Sequence, residues 1–221
     1  LEPEKLAKVI NSYLSEMTEI ALECGGTIDK FIGDAILVFF GDPESQGETN
    51  DALGCVEMAL RMQQRIQELQ DHWKKQSVTN GLKVRMGITT GYCTVGNFGS
   101  NQRMDYTVLG KPVNLAARLE SLASPGEILI SDSTFALIEH QIKCTPFDEI
   151  QPKGFARPVK IHKVEHSSSQ SELQVQSNLY HSRDHVQVNI VDSSDIPAAV
   201  RELKQIQKDI SSAIKNKGTI D

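Results

Sequence analysis

An amphipathic stretch that stops at a double glycine and passes at once into two short apolar runs limits this chain more than any other feature. From Pro3 to Cys24 the residues Leu6, Val9, Ile10, Tyr13, Leu14, Met17, Ile20 and Ala21 recur at i, i+3, i+4 and i+7, the period of a helix with one apolar face. Gly25-Gly26 closes it, because glycine takes the left-handed conformation of a helix C-terminus without a steric penalty. Thr27 to Phe31 and Ala35 to Phe40 read as strands, and Gly33-Asp34 reads as the tight turn between them, with Asp34 at the tip. A one-sided helix joined by so short a connection to a hairpin points to helices laid on a sheet.

The alternation continues along the chain. A second helix is expected from Asp51 to Leu69, with Ala52, Cys55, Val56, Ala59, Leu60 and Ile66 along one face, and the polar stretch Asp71 to Gly81 reads as a loop. Val84 to Thr90 and Tyr92 to Phe98 read as strands broken at Gly91, and Asp105 to Leu109 as a further strand. Pro112 sits where a first helical turn accepts it, so Val113 to Leu122 reads as a helix. Ile128 to Ile130 is a strand, Asp132-Ser133 offers an N-cap to a helix ending near His140, and strands near Ile142 to Ile150 and Val159 to Val164 flank Lys153-Gly154. The class is α+β, an antiparallel-rich sheet with helices packed on one face. Residues 1–166 read as one domain. The serine-rich opening of 167–185 marks a polar linker. Residues 186–221 read as a tail or the start of another domain, with a strand at Val186 to Val191 and helical spacing from Pro197 to Ile214, and no function is assigned to them.

Bulk properties exclude several classes. The 221 residues are 39% hydrophobic and 24% charged, the composition of a soluble globular protein. No apolar run approaches the ~18 residues that a membrane-spanning helix needs, and nothing reads as a signal peptide. The chain begins with Leu1 rather than Met, so it is expected to be a piece of a longer protein whose membrane anchor, if it has one, lies elsewhere. A formal net charge of −6 argues against a nucleic-acid partner, and an anionic substrate would have to be held by a few local cations. The cysteines Cys24, Cys55, Cys93 and Cys144 form no C-x-x-C pair and read as buried reduced thiols, which suits a cytoplasmic compartment. A kinase or phosphodiesterase finds no support, for there is neither a Walker-type glycine loop nor a His/Asp metal cluster in the sequence.

Three polar islands interrupt the apolar runs: Asp29-Lys30-Phe31-Ile32-Gly33-Asp34-Ala35, Asp105-Tyr106-Thr107-Val108-Leu109-Gly110 and Asn114-Leu115-Ala116-Ala117-Arg118. Polar groups in such surroundings are costly unless they are used. A carboxylate such as Asp34 suits a divalent cation. Lys30 and Thr107 can read a base edge, and Asn114 and Arg118, four apart on a helix, share a face that can grip a reacting phosphate. The islands and their order resemble the catalytic domain of class III nucleotidyl cyclases, the adenylyl and guanylyl cyclase family, over about Leu6 to Val164.

That resemblance implies a ferredoxin-like core of βαββαβ type, in which a strand precedes the first helix. Here that strand would lie before Leu1, so an N-terminal truncation is expected. It implies conversion of ATP to cyclic AMP and pyrophosphate for intracellular signalling, with two Mg²⁺ or Mn²⁺ ions per site. Asp34 matches the family's second metal-binding aspartate. The first lies in a Phe-x-Asp segment that nothing in Leu1 to Asp29 resembles, so the fragment alone is expected to be inactive. Lys30 and Thr107 match the base-reading positions. Lysine only donates hydrogen bonds and suits adenine N1, while the threonine hydroxyl can accept from N6. Threonine there resembles bacterial-type adenylate cyclases and a subgroup described as bicarbonate-responsive. Asn114 and Arg118 match the transition-state pair, and Arg85 and Lys153 match triphosphate contacts. In this family Asp34 and Arg85 serve one half of a site and Lys30, Thr107, Asn114, Arg118 and Lys153 the other, so the resemblance implies a homodimer with shared sites. A non-catalytic cyclase-homology module and a GTP-using cyclase remain the alternatives.

Overall fold

The computed structural model describes residues 3–75, 82–166, 179–183, 186–190 and Lys204. The first helix, α1 (Pro3–Glu23), ends as its glycines require. Gly25 adopts φ +82° and donates its N–H to the Leu22 carbonyl at 3.0 Å, while the Gly26 N–H reaches the Ala21 carbonyl at 2.8 Å. This paired bond pattern satisfies carbonyls that the helix end would leave open. Val9, Tyr13, Met17, Ile20 and Ala21 pack against Met58, Met62, Ile66, Leu69 and Trp73 of α2 (Glu48–Lys75). That second helix outruns its expected end. Asp71–Lys75, read as loop, is helical because Trp73 follows Leu69 by one i, i+4 step and is 3% exposed, extending the buried stripe by a turn. The Gln70 amide also donates to the Leu82 carbonyl at 2.7 Å. Residues 76–81 of the expected loop lie outside the described residues.

Strands β1 (Thr27–Ile32) and β2 (Ala35–Phe39) form the expected hairpin around Gly33, which has φ +65°. Its ladder is irregular. Ile28 pairs with Val38 and Lys30 with Leu37, which leaves Asp29 as an extra, unpaired residue on β1. This is a β-bulge.

The central sheet has the order β3-β6-β8-β7, from Met86–Ile88, Ile128–Ser131, Val159–Val164 and Cys144–Ile150 in a numbering that leaves β4 and β5 to a second hairpin. The β3–β6 pair is parallel and the other pairs are antiparallel. Every residue of β6 is buried. Ile128 and Ile130 join Ala52, Val56 and Ala59 of α2 and Ile138 of α4 (Asp132–Ile138). Leu129, pointing the other way, joins Leu115 and Leu119 of α3 (Lys111–Leu122) and Ile161. Helices therefore cover both faces of this sheet, not one. The uninterrupted apolar run in β6 is the physical reason, since a strand buried on both sides has no polar face to turn outward.

Strand β3 is shorter than its apolar run because its flanks bond elsewhere. The Val84 carbonyl accepts from the Gln63 side chain at 2.8 Å and from Gly126 N–H at 2.9 Å. The Thr89 and Thr90 hydroxyls bond those of Ser131 and Thr134. The second hairpin, β4 (Thr94–Ser100) with β5 (Arg103–Leu109), is in register from Thr94↔Leu109 to Ser100↔Arg103. It starts two residues later and ends two later on its first strand than the sequence suggests. Helix α4 is capped by Ser131 rather than Asp132-Ser133 and stops at Ile138. The class is α+β, and α1, β1, β2, α2 and β3 follow the last five steps of a βαββαβ order. Among the described residues the β1–β2 hairpin is not hydrogen-bonded to β3.

No helix among the described residues is long and apolar enough to cross a membrane. All four cysteines are free; Cys24, Cys55 and Cys144 are partly buried, whereas Cys93, expected inside, is exposed. The chain divides after His166 into two compact units. In the second, β9 (Leu179–Arg183), which composition assigns to a linker, pairs antiparallel with β10 (Val186–Ile190). Apart from Lys204, which is helical, the helix expected over Pro197 to Ile214 lies outside the described residues.

One contact fixes α3 to the sheet. A Cβ placed on Gly87 would stand 2.2 Å from the Ala116 carbonyl oxygen and 2.3 Å from the Glu120 nitrogen, both backbone atoms that cannot swing aside. Gly87→Ala is expected to cost about 3 kcal/mol or more as an overpacked helix–strand contact. Thermal unfolding should show a midpoint lowered by about 10 °C. An unchanged midpoint would refute the close approach.

Candidate active site

The bulge in β1 brings two neighbouring side chains to one place. In a regular strand Asp29 and Lys30 would point to opposite faces. Here the Thr107 hydroxyl on β5 donates to Asp29 Oδ2 at 2.6 Å and accepts from Lys30 Nζ at 3.0 Å. Lys30 Nζ also lies 3.3 Å from Asp29 Oδ1, and Val108 N–H donates to Oδ2 at 3.2 Å. The Asp29 side chain is 1% exposed and that of Lys30 45% exposed, so the lysine leads from a buried carboxylate toward solvent. The two expected base-reading residues are thus in direct contact. Asp29, which sequence reasoning did not single out, organises both. Its signal was a carboxylate beside Lys30 in a strand with Ile28, Phe31 and Ile32, but the bulge that aims it leaves no mark in the sequence.

A second stitch holds the same two hairpins. The Tyr106 hydroxyl donates to the Asp42 carboxylate, which pushes the tyrosine pKa above its ordinary value, and Thr27 Oγ1 donates to the Asp42 carbonyl at 2.6 Å. From β5 the chain turns through Gly110 into α3, with Pro112 in its first turn. Leu115 and Leu119 point inward, while Asn114 and Arg118 are exposed. Neither of those two makes a hydrogen bond or ion pair among the described residues, so their donors are available to a ligand.

Arg85 is not beside them. Its Nε donates to Glu120 Oε1 at 2.5 Å, tying the entry to β3 to helix α3. Glu120 follows Arg118 by two residues, roughly 200° around the helix. Arg85 and Arg118 therefore occupy different sides of α3. Lys153 is exposed in the turn between β7 and β8, where Gly154 adopts φ +89°, and has no partner among the described residues.

Asp34 stands exposed at the hairpin tip, also without a hydrogen bond or ion pair. Burial, and after it the nearby Asp34 charge, push the Tyr13 hydroxyl up to about 12. No group of three or more His, Cys, Asp or Glu forms a metal cage among the described residues. A free carboxylate nevertheless fits Mg²⁺ or Mn²⁺, which commonly take one or two protein carboxylates and fill the remaining positions with substrate phosphates and water. A cavity of about 520 Å³ is lined by Thr89, Thr90, Lys111, Asp132, Ser133 and Lys160 among others, and holds none of the expected site residues. Lys30, Asp34, Asn114, Arg118 and Lys153 are exposed, whereas Thr107 is buried beneath Lys30.

The chain resembles known proteins in both sequence and fold. A family model described as the adenylate and guanylate cyclase catalytic domain matches residues 1–167. An adenylate cyclase of Anabaena cylindrica is 38% identical over 138 residues, 60% of this chain and 26% of that protein. The chain spans about a quarter of the length of the bacterial relatives it matches. Among solved structures, the adenylyl cyclase CyaB from P. aeruginosa superposes with a TM-score of 0.73 at 53% identity, covering 76% of this chain and 85% of that one. The guanylyl cyclase Cya2 superposes with a TM-score of 0.69 at 39% identity, covering 74% and 82% respectively.

The Asp29–Thr107 bond can be tested apart from any activity. Thr107→Val keeps the shape and removes the hydroxyl, leaving a buried carboxylate short of one donor. The expected loss is about 1–3 kcal/mol, read as a lower urea midpoint with an unchanged slope. A loss within the ~0.5 kcal/mol of ordinary surface substitutions would show that the bond is not made.

Proposed function

This chain belongs to the adenylate and guanylate cyclase catalytic-domain family, and we propose that residues 1–166 form the catalytic domain of an adenylate cyclase that converts ATP to cyclic AMP and pyrophosphate. The observation that carries the choice of base is the 3.0 Å contact between Lys30 Nζ and Thr107 Oγ1. An ammonium donor beside a hydroxyl acceptor complements the adenine edge, which offers an N1 acceptor and an N6 donor. Guanine presents an N1 donor to the same lysine, and two donors repel. The 53% identity to an adenylyl cyclase supports the same reading.

In the reaction the ribose 3′-oxygen forms a bond to the α-phosphorus and the bond from that phosphorus to the bridging oxygen breaks. The 3′-hydroxyl loses its proton and pyrophosphate carries away the electron pair. Little covalent work falls to the protein, so positioning and charge stabilisation dominate. Arg118 offers guanidinium donors to the charge building on the α-phosphoryl oxygens, and Asn114, one turn earlier on the same face, orients the ribose. Lys153 and Arg85 hold the triphosphate. Asp34 is the carboxylate to which Mg²⁺ or Mn²⁺, two per site, would bind, supplying charge neutralisation and a lowered 3′-hydroxyl pKa.

The separation of Arg85 from Arg118 across α3 supports a site shared between two copies. One copy gives Asp34 and Arg85, and the other gives Lys30, Thr107, Asn114, Arg118 and Lys153, so a symmetric dimer carries two sites.

The assay uses the full-length protein with ATP or GTP and Mn²⁺, with the cyclic products quantified. Cyclic AMP from ATP is expected, with kcat reduced by about 10²–10³ in Arg118→Ala and with base preference lost in Lys30→Ala. No product from either nucleotide, in a folded dimer, would assign the domain to a regulatory role instead. Mixing Asp34→Ala with Arg118→Ala chains should restore activity through one intact site per mixed dimer, to at most a quarter of wild-type activity. Proven mixed dimers that stay inactive would sink the shared site.

A further inference from the structure

We propose that Asp29, a buried positioning residue, sets the base specificity of this site by fixing the direction of the Thr107 hydroxyl. The inference rests on the adenine reading above and explains how a threonine can deliver it. A hydroxyl has one proton and two lone pairs, so by itself it can present either a donor or an acceptor to a base. A threonine facing the exocyclic position would accept from adenine N6 or, by rotating, donate to guanine O6. Alone it does not discriminate.

Asp29 removes that freedom. Its ionised carboxylate can only accept, and its Oδ2 takes the Thr107 proton at 2.6 Å while Val108 N–H holds the same oxygen at 3.2 Å. With its proton committed, Thr107 Oγ1 offers only lone pairs, and in the nucleotide-free arrangement Lys30 Nζ fills one of them at 3.0 Å. An adenine N6–H group can take a lone pair of this oxygen. A guanine O6 would meet it oxygen to oxygen. The Asp29 Oδ1 atom, 3.3 Å from Lys30 Nζ, has no hydrogen-bond partner, so the bond to Thr107 is the one hydrogen bond recorded for the ammonium, and Nζ can exchange it for adenine N1 while staying near the carboxylate charge.

The backbone is built for this. Asp29 is the unpaired residue of the β1 bulge, and without the bulge Asp29 and Lys30 could not both reach Thr107. A link between β1 and β5 made only for stability would not need a carboxylate that is 1% exposed, because burying a charge costs more than an apolar contact of the same size.

The test compares kcat/KM for ATP and GTP in the full-length protein. Asp29→Leu keeps the approximate size and removes the acceptor, freeing the hydroxyl proton to face the base, whereas Asp29→Asn keeps an acceptor in place because Val108 N–H holds the amide oxygen toward Thr107. The ATP:GTP ratio is expected to fall about 10-fold or more in Asp29→Leu, chiefly through KM, while the Arg118→Ala loss of kcat persists in this background, and to stay in the wild-type range in Asp29→Asn. A folded Asp29→Leu protein with the wild-type ratio overturns the proposal and leaves the adenine reading intact, as does an Asp29→Asn protein whose ratio falls as far. If Asp29→Leu does not fold, Asp29→Ala is measured in its place and decides by the same readings. Wild-type protein that prefers GTP overturns both.

Discussion

The approach of β3 to α3 at Gly87 is the contact on which the rest of the domain depends. Backbone meets backbone there, with no side chain between, so the height of α3 above the sheet is set by hard atoms rather than by adjustable packing. Leu115 and Leu119 can then reach Leu129 and Ile161, and the carboxylate of Glu120 comes within reach of Arg85. Asn114 and Arg118 are carried on the outer side of the same helix. A larger residue at position 87 would lift all of these groups as one body. Positioning errors of about 1 Å can cost on the order of 10²-fold in rate, so the glycine matters to chemistry as much as to stability.

Many charges in the domain pair on its surface, yet those pairs do little to hold the site. Arg61–Glu23, Arg65–Glu16 and Lys143–Glu165 all involve side chains that are 29% exposed or more, where an ion pair contributes about 0–1 kcal/mol. The Asp29 cluster differs in kind. Its carboxylate is out of water, so losing one donor exposes the full desolvation cost of a buried anion. Together with the Tyr106–Asp42 bond, it fastens the β1–β2 hairpin to β5, and these are the strands that carry Lys30 and Thr107. The buried Asp29–Thr107 bond does most to fix the geometry, with the exposed Tyr106–Asp42 bond beside it.

What the sequence disclosed follows from which forces are local. The stripe of α1, the Gly25-Gly26 stop and the Gly33-Asp34 turn are decided within a few residues, and they stand where periodicity puts them. The candidate residues were likewise legible as polar groups in apolar runs. The two-sided burial of β6 was present as an unbroken Ile128-Leu129-Ile130 run, whereas the end of α2 depended on Trp73 finding the α1 core across a polar stretch. Strand β9 was hidden because Tyr180-His181-Ser182-Arg183 has no apolar alternation to betray it. The bulge at Asp29 was hidden for a deeper reason: an extra residue in a ladder is defined only by the partner strand. With it went the role of Asp29, since regular alternation turns that side chain away from Lys30.

The placement of the proposed site residues bears on assembly. Glu120 anchors Arg85 on one side of α3, and Arg118 leaves from the opposite side, so a single helix stands between two groups proposed to bind the same triphosphate. Lys153 and Asp34 are exposed and make no hydrogen bond or ion pair with the other expected site residues among the described residues. Phe31, Ile32, Met104, Tyr106 and Leu109 are each 47–60% exposed on the same two hairpins that carry Asp34, Lys30 and Thr107. Large apolar side chains gathered on elements that carry a reactive site mark a surface suited to being covered. In the proposed symmetric dimer one covering event does two things: it removes that apolar surface from water and brings the Arg85 side of one copy to the Arg118 side of the other. In that proposal hydrophobic burial supplies the drive for assembly, and the placement of Arg85 and Arg118 on different sides of α3 supplies its chemical reason.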